Sequence, residues 1–129
     1  MRPLVLLAAI GAVVCACGST AAAHTPIVFG VSGGNMLPYR VSIQPNGTVR
    51  ARGSVKLRHR QLPAATVRRL RREVQQAGLS SRRCAGVLPD VGEQFIRVGG
   101  RTWTVHGACE KRFERVWQKL TDAVGLGIG

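Results

Sequence analysis

The sequence predicts an α+β fold in which an antiparallel sheet carries two helices packed on one face, with one disulfide. The segment from Tyr39 to Gln44 alternates apolar and polar residues with the period of two that is typical of a half-buried strand. Two other segments, one on each side of Gly99-Gly100, space their apolar residues as amphipathic helices do. Because two short extended runs flank the paired glycines, the expected order is strands, helix, hairpin, helix.

The first residues predict an export signal. Arg2 supplies a positive start, and the eleven residues from Leu4 to Val14 carry no charge. This run is shorter than the roughly 20 residues that span a bilayer core, and it suits the apolar part of a signal peptide. The following Val14-Cys15-Ala16-Cys17 resembles the lipobox of bacterial lipoproteins. We therefore expect residues 1–16 to be a lipoprotein signal peptide and Cys17 to be the lipidation site.

Lipidation of Cys17 would anchor the exported protein, through acyl chains such as palmitate, to the outer face of the bacterial cell membrane. Residues 17–25 would then be a flexible tether, residues 26–125 a single α+β domain and residues 126–129 a flexible, glycine-rich tail. One alternative stays open, because Ala21-Ala22-Ala23 also fits an ordinary signal peptidase site. Cleavage after Ala23 would release a secreted protein.

Cys84 and Cys109 are the two cysteines expected to pair in the exported chain. Cys15 leaves with the signal peptide, and Cys17 is either acylated or removed. The remaining pair would form a disulfide in an oxidising compartment. It would close a loop of 26 residues, for which the chain-entropy model gives about 3–4 kcal/mol of stabilisation. Neither cysteine has the C-x-x-C spacing of a metal pair.

Strands are predicted on both sides of two glycine-containing breaks. Pro26 to Ser32 is the first, and Gly33-Gly34 ends it. The strand from Tyr39 to Gln44 turns at Pro45-Asn46-Gly47, because Asn and Gly tolerate positive φ. Thr48 to Arg52 then returns beside it.

The first helix is predicted to begin near Pro63 and to end before Gly78, which suit the first turn and the position after the last turn. Its apolar stripe is Val67, Leu70, Val74 and Ala77, and its arginines are assigned to the opposite side, namely Arg68, Arg69, Arg71 and Arg72. The second helix is expected from about Glu110 to Val124. Its stripe is Phe113, Val116, Trp117, Leu120 and Val124.

The chain lacks an enzyme signature. It contains no G-x-S-x-G, H-E-x-x-H or P-loop motif. Its six acidic residues and three histidines show no spacing that acid–base catalysis demands. We expect no catalytic residues, no metal site and no cofactor. A hydrolase with a site scattered around His106 is the minor alternative.

The charge is strongly positive. Lys and Arg number 19 against 6 Asp and Glu, a net charge of +13. Such a field attracts anionic polymers and lipid headgroups. Four arginines would lie on the outward face of the sheet as an anion-binding set, namely Arg40, Arg50, Arg52 and Arg97. Codon bias of a GC-rich genome is the competing explanation. Nucleic acid is not an expected partner, since export removes the protein from it and exposed stacking aromatics are few.

The segment after the first strand is the predicted partner-binding loop. Paired glycines at Gly33 and Gly34 allow close backbone approach to a partner. Asn35 follows them, and Met36 offers an adaptable apolar contact. The competing interpretation is a plain connection with Met36 in the core.

Over about residues 27–79 the layout resembles small bacterial proteins related to emfourin, an inhibitor of thermolysin-like metalloproteases. The resemblance rests on the strand Ile27 to Ser32, the Ser32-Gly33-Gly34 turn, the Asn46-Gly47-Thr48-Val49 turn and the Leu62-Pro63 helix start. It implies a non-catalytic protein that acts by inserting loops. Gly33 and Gly34 are the matching positions. Asn35-Met36-Leu37 stands where the family has Phe-Ala-Gly, and the cysteine pair is extra.

Together these observations predict a non-enzymatic cell-envelope lipoprotein that acts as a protein-binding module, with protease inhibition as one form of that binding. The partners expected are the membrane, through the N-terminal lipid, and an unidentified protein such as a protease. The alternative is an arginine-mediated binder of anionic envelope polymers or lipid headgroups.

Overall fold

The computed structural model describes residues 24–128. The expectations for residues 1–16, for Cys17 and for cleavage after Ala23 lie outside the described residues. The described chain forms the following elements in order: β1 (Ile27–Ser32), β2 (Tyr39–Ile43), β3 (Val49–Gly53), β4 (Val55–Leu57), α1 (Ala64–Gln76), β5 (Arg82–Arg83), β6 (Glu93–Val98), β7 (Arg101–His106), α2 (Lys111–Val124) and β8 (Leu126–Ile128).

The main sheet has six strands in the order β3-β2-β1-β6-β7-β5. All neighbours pair antiparallel except the two-residue β5, which runs parallel to β7. The prediction of an α+β fold with a mostly antiparallel sheet is therefore confirmed. The short β5 is not among the strands that the sequence predicted.

Both helices pack on one face of this sheet around a single core. The alternating strand residues Ile27 and Phe29 are fully buried, as is Phe113 of α2. Trp117 meets Phe29 edge-on, with ring centroids 5.6 Å apart, and stacks against Phe113 at 6.0 Å. The side chains that alternate with the buried ones point to the other, open face of the sheet. None of the helices within the described residues is long and apolar enough to cross a membrane.

The predicted disulfide between Cys84 and Cys109 is confirmed. The two Cα atoms lie 5.8 Å apart, within the range that a disulfide spans without backbone distortion. Cys84 follows β5 and Cys109 precedes α2, so the bond joins the sheet edge to the start of the second helix.

The prediction of a flexible tail after Gly125 is wrong for its described part. Gly125 adopts a left-handed conformation, with φ 59°, that ends α2 and reverses the chain. Leu126–Ile128 then forms β8, which pairs antiparallel with β4. The glycine content suggested fraying, but β4 offers a free strand edge, and Leu126 packs against the core.

Arg71 also departs from its predicted exposed position. It lies four residues after Val67, hence on the buried stripe of α1, and is only 8% exposed. Its guanidinium donates to the carbonyl oxygen of Thr25 and lies 3.4 Å from the Thr25 hydroxyl. These contacts replace lost hydration. They also fix Thr25, which the sequence had assigned to the tether, against the domain.

Candidate functional site

An apolar groove of about 500 Å³ opens at the end of the sheet where β1 ends. Five large apolar side chains of the described residues are exposed: Met36, Leu37, Leu88, Val91 and Ile128. All of them except Leu88 line this groove. Exposed apolar side chains are ordinary when scattered singly, but their concentration in one concavity marks an interaction site.

Several parts of the fold build the walls of the groove, among them the turn after β7 with Gly107 and Ala108. The ends of β1 and β2 contribute Val31 and Tyr39, and the β4–β8 ribbon contributes Val55, Leu126 and Ile128. The loop before β6 contributes Val91. The Tyr39 phenol is neutral near pH 7, as a phenol ordinarily is, and burial raises its pKa further. The groove thus contains mostly uncharged, apolar surface, with Ser54 and Gln94 as polar members.

The loop between β1 and β2 is fastened at its base. The backbone amide of Asn35 donates a hydrogen bond to the backbone carbonyl oxygen of Asp90, at 2.8 Å. Gly34, with φ 71°, lies so close to the same segment that a Cβ would run into the Asp90 carbonyl and the Gly92 amide. Beyond this base, the tip of the loop exposes 57% of Met36 and 70% of Leu37. The loop therefore presents apolar side chains from a positioned backbone.

The segment that contains Val91 is held by a hydrogen bond from a residue of the sheet. His106, at the end of β7, is only 5% exposed, and its Nε2 lies 2.7 Å from the Val91 carbonyl oxygen. A carbonyl accepts only, so Nε2 carries the proton and donates. A chain of contacts consequently runs from β7 through residues 90–92 to the loop that holds Met36.

The open face of the sheet carries the four predicted arginines in two rows that cross the strands. Arg52 pairs directly with Arg40, Arg40 with Gly30, and Gly30 with Phe95. The second row runs Arg50, Ser42, Val28 and Arg97 in the same way. All four arginines are exposed. The prediction that they share one face is therefore supported by the register.

None of these four arginines has a carboxylate within 4.0 Å among residues 24–128. Arg40 lies over the Phe95 ring, with 5.8 Å from its Cζ to the ring centroid. Arg97 donates from Nε to the Thr102 hydroxyl at 3.1 Å. Arg40, Arg52 and Phe95 line a hollow of about 300 Å³ on this face.

The structure thus separates the predicted site residues into two surfaces. Met36 lies in the apolar groove, while Gly33, Gly34 and Asn35 shape the loop beside it; the four arginines lie on the open sheet face. Sequence reasoning missed Val55, Val91 and Ile128. Their only signal was apolar character in segments of turn-like or glycine-rich composition. Within residues 24–128 no group of three His, Cys, Asp or Glu side chains is placed to hold a metal ion.

No family model, curated protein or solved structure matches this chain.

Proposed function

We propose that this protein is a non-enzymatic cell-envelope lipoprotein that acts as a protein-binding module, with the apolar groove as its docking site. One observation carries the proposal: four exposed apolar side chains converge on the same groove. Leaving them in water is unfavourable by about 25 cal/mol per Å² of apolar surface. A partner protein that covers Met36, Leu37, Val91 and Ile128 would remove that surface from water.

The partner is a protein with an apolar segment flanked by acidic residues. The apolar segment suits the lining of the groove. The acidic flanks suit a chain of net charge +13, whose field favours encounter with negative surfaces.

The position of the groove supports a partner outside the membrane. The described chain enters β1 at Ile27, and the groove lies beyond the other end of this six-residue strand. At about 3.3 Å per residue, the two ends are roughly 20 Å apart. If Cys17 holds the chain at the bilayer, the groove lies on the far side of the domain from the anchor.

Inhibition of a protease is the most specific form of this proposal. An inhibitor inserts a loop whose backbone is already in place, because ordering the loop on binding would cost affinity. The Asn35–Asp90 hydrogen bond and the close packing of Gly34 give the loop that property. Titration of a thermolysin-type protease with this protein tests it. Stoichiometric loss of protease activity at micromolar protein is the expected result, and unchanged activity would remove the inhibitor form.

Site-specific photo-crosslinking in the producing cells tests the docking surface itself. A photoreactive residue at Leu37 should give a discrete protein adduct that disappears when Val91 is replaced by Asp. The same probe at Leu88 is the matched control, because Leu88 is 65% exposed but lies outside the groove. Equal adducts at both positions, or adducts to lipid alone, would refute the proposal.

A further inference from the structure

The pairing of Arg40 with Arg52 is the observation that groove binding does not explain. The two residues are direct cross-strand partners in β2 and β3. Like charges in this relation destabilise a sheet. No described carboxylate lies within ion-pair distance of either one. The open face therefore keeps an electrostatic cost that a bound anion would offset.

A hollow beside this pair is bordered by both arginines. Arg40, Arg52 and Phe95 line it. Gly30 lies between Arg40 and Phe95 in the row, and the lack of a side chain there lets β1 and β2 approach closely, since a Cβ would run into the Tyr39 carbonyl. Two guanidinium groups around one hollow suit a phosphate, whose oxygens accept from both. A carboxylate, by contrast, is commonly bound by a single arginine that donates to both of its oxygens.

The second row gives the face the dimensions of a polymer site. Arg50 and Arg97 lie at the ends of a row of four strands, three strand spacings of about 4.8 Å apart, or roughly 14 Å. This row is two residues along the strands from the first, a step of roughly 7 Å. A single small anion would meet only one row, whereas an extended chain of phosphates would meet both.

We propose that the open face of the sheet binds a linear, soluble polymer of phosphate groups, with Arg40 and Arg52 holding one phosphate and Arg50 and Arg97 contacting its neighbours. A polymer suits the geometry better than a bilayer does. The rows lie along the broad face of the sheet, while the chain enters the domain at one end of β1. An anchor at that end would bring the end of the sheet, and not its face, toward the lipid.

The experiment uses the whole protein and linear inorganic polyphosphate as the probe, with affinity measured by calorimetry over a series of salt concentrations. The double variant R40A/R52A should weaken binding at least roughly tenfold, as expected when two charge-assisted contacts are lost. The slope of log K against log salt should become shallower by about 0.7, since Arg40 and Arg52 hold one phosphate and each phosphate neutralised on a single strand accounts for about 0.7. R50A/R97A should likewise lower the affinity for polyphosphate and make the salt dependence shallower.

The matched control is R68A/R69A, which removes the same charge from the exposed surface of α1. It should retain nearly the full affinity and slope. An equal loss of affinity in R40A/R52A and in R68A/R69A would show that net charge alone attracts the polymer, and it would overturn the proposed site. Undetectable binding of the wild-type protein at physiological salt would overturn it as well.

Two further arms separate a local site from a general or membrane effect. R52E places a negative charge directly across from Arg40, where it repels phosphate, so it should abolish polyphosphate binding. Because opposite charges in cross-strand positions attract each other, the melting temperature should be unchanged or raised. Vesicles of phosphatidylglycerol form the other arm. Vesicle binding that is lost in R40A/R52A, together with unchanged polyphosphate binding, would assign the face to a membrane and refute the polymer. Because the groove side chains Met36 and Leu37 play no part, failure here would leave the groove proposal intact.

Discussion

The side chain of His106 donates from Nε2 to the carbonyl oxygen of Val91 across 2.7 Å. This bond joins the last residue of β7 to a loop that itself supports Asn35 and the wall of the apolar groove. The other ring nitrogen, Nδ1, is buried without a partner among the described residues. The histidine thus has one buried polar contact, and that contact shapes the groove.

Replacing His106 by Ala should lower the free energy of unfolding by about 1–3 kcal/mol. The Val91 carbonyl loses its hydrogen-bond donor, and the atoms around the buried ring lose their packing contacts. Chemical denaturation measures this change. Amide hydrogen exchange at residues 90–92 should also become faster. His106→Gln is the control, since its amide can donate to the same carbonyl, and it should lose less. Equal losses would show that the hydrogen bond contributes nothing.

Two adjacent glycines in the loop should respond differently to alanine. Both have positive φ, 70° at Gly33 and 71° at Gly34, so each substitution carries about 1–2 kcal/mol of backbone strain. At Gly33 a Cβ would meet nothing within 4 Å, whereas at Gly34 it would run into backbone atoms of residues 90–92. Thermal unfolding should therefore show Gly34→Ala to be less stable by a further 1–3 kcal/mol or so. Similar melting temperatures would contradict the close packing of the loop base.

Loss of the disulfide should weaken both the domain and its groove. The C84S/C109S variant should lose about 3–4 kcal/mol of unfolding free energy in urea denaturation, through the greater entropy of its unfolded chain. The groove residues Gly107 and Ala108 immediately precede Cys109, so the Leu37 crosslink should weaken too. In the wild-type protein, neither Cys84 nor Cys109 should react with an alkylating reagent before reduction.

The start of α2 should make stability depend on pH in the acid range. A hydrogen bond from the Ser80 hydroxyl and another from the Arg112 backbone amide lower the pKa of Glu110. The folded state therefore favours the carboxylate. Its contribution to stability is complete above the carboxyl's pKa in the unfolded chain, which is about 4.3, and is lost as pH falls through the lower folded value.

Melting temperatures of the wild type and of Glu110→Gln, measured from neutral pH downward, test this. The variant should be less stable near pH 7, and the gap should begin to narrow below about pH 4.3 and close as pH falls through the lower pKa of the folded state. A gap that stays constant through the acid range would exclude Glu110 as the titrating group.

The sequence was sufficient for the parts of the fold that local periodicity encodes. The alternation from Tyr39 to Ile43 and the stripes headed by Val67 and Phe113 each produced the element expected. Arg71 shows the limit of the same reasoning. Its spacing places it on the buried stripe, but its burial depends on tertiary contacts such as those with Thr25, 46 residues earlier.

The candidate site divides in the same way. The sequence alone determined that Cys84 and Cys109 would pair, that Arg40, Arg50 and Arg52 would share a face, and that Met36 would follow a glycine-rich break, since each follows from composition or from the period of a strand. Only the tertiary structure decided that Val91, Ile128 and Met36 would line one groove and that Arg40 would lie opposite Arg52. The physical reason is that strand register and loop closure join residues far apart in the chain, and no local pattern records which of them will meet.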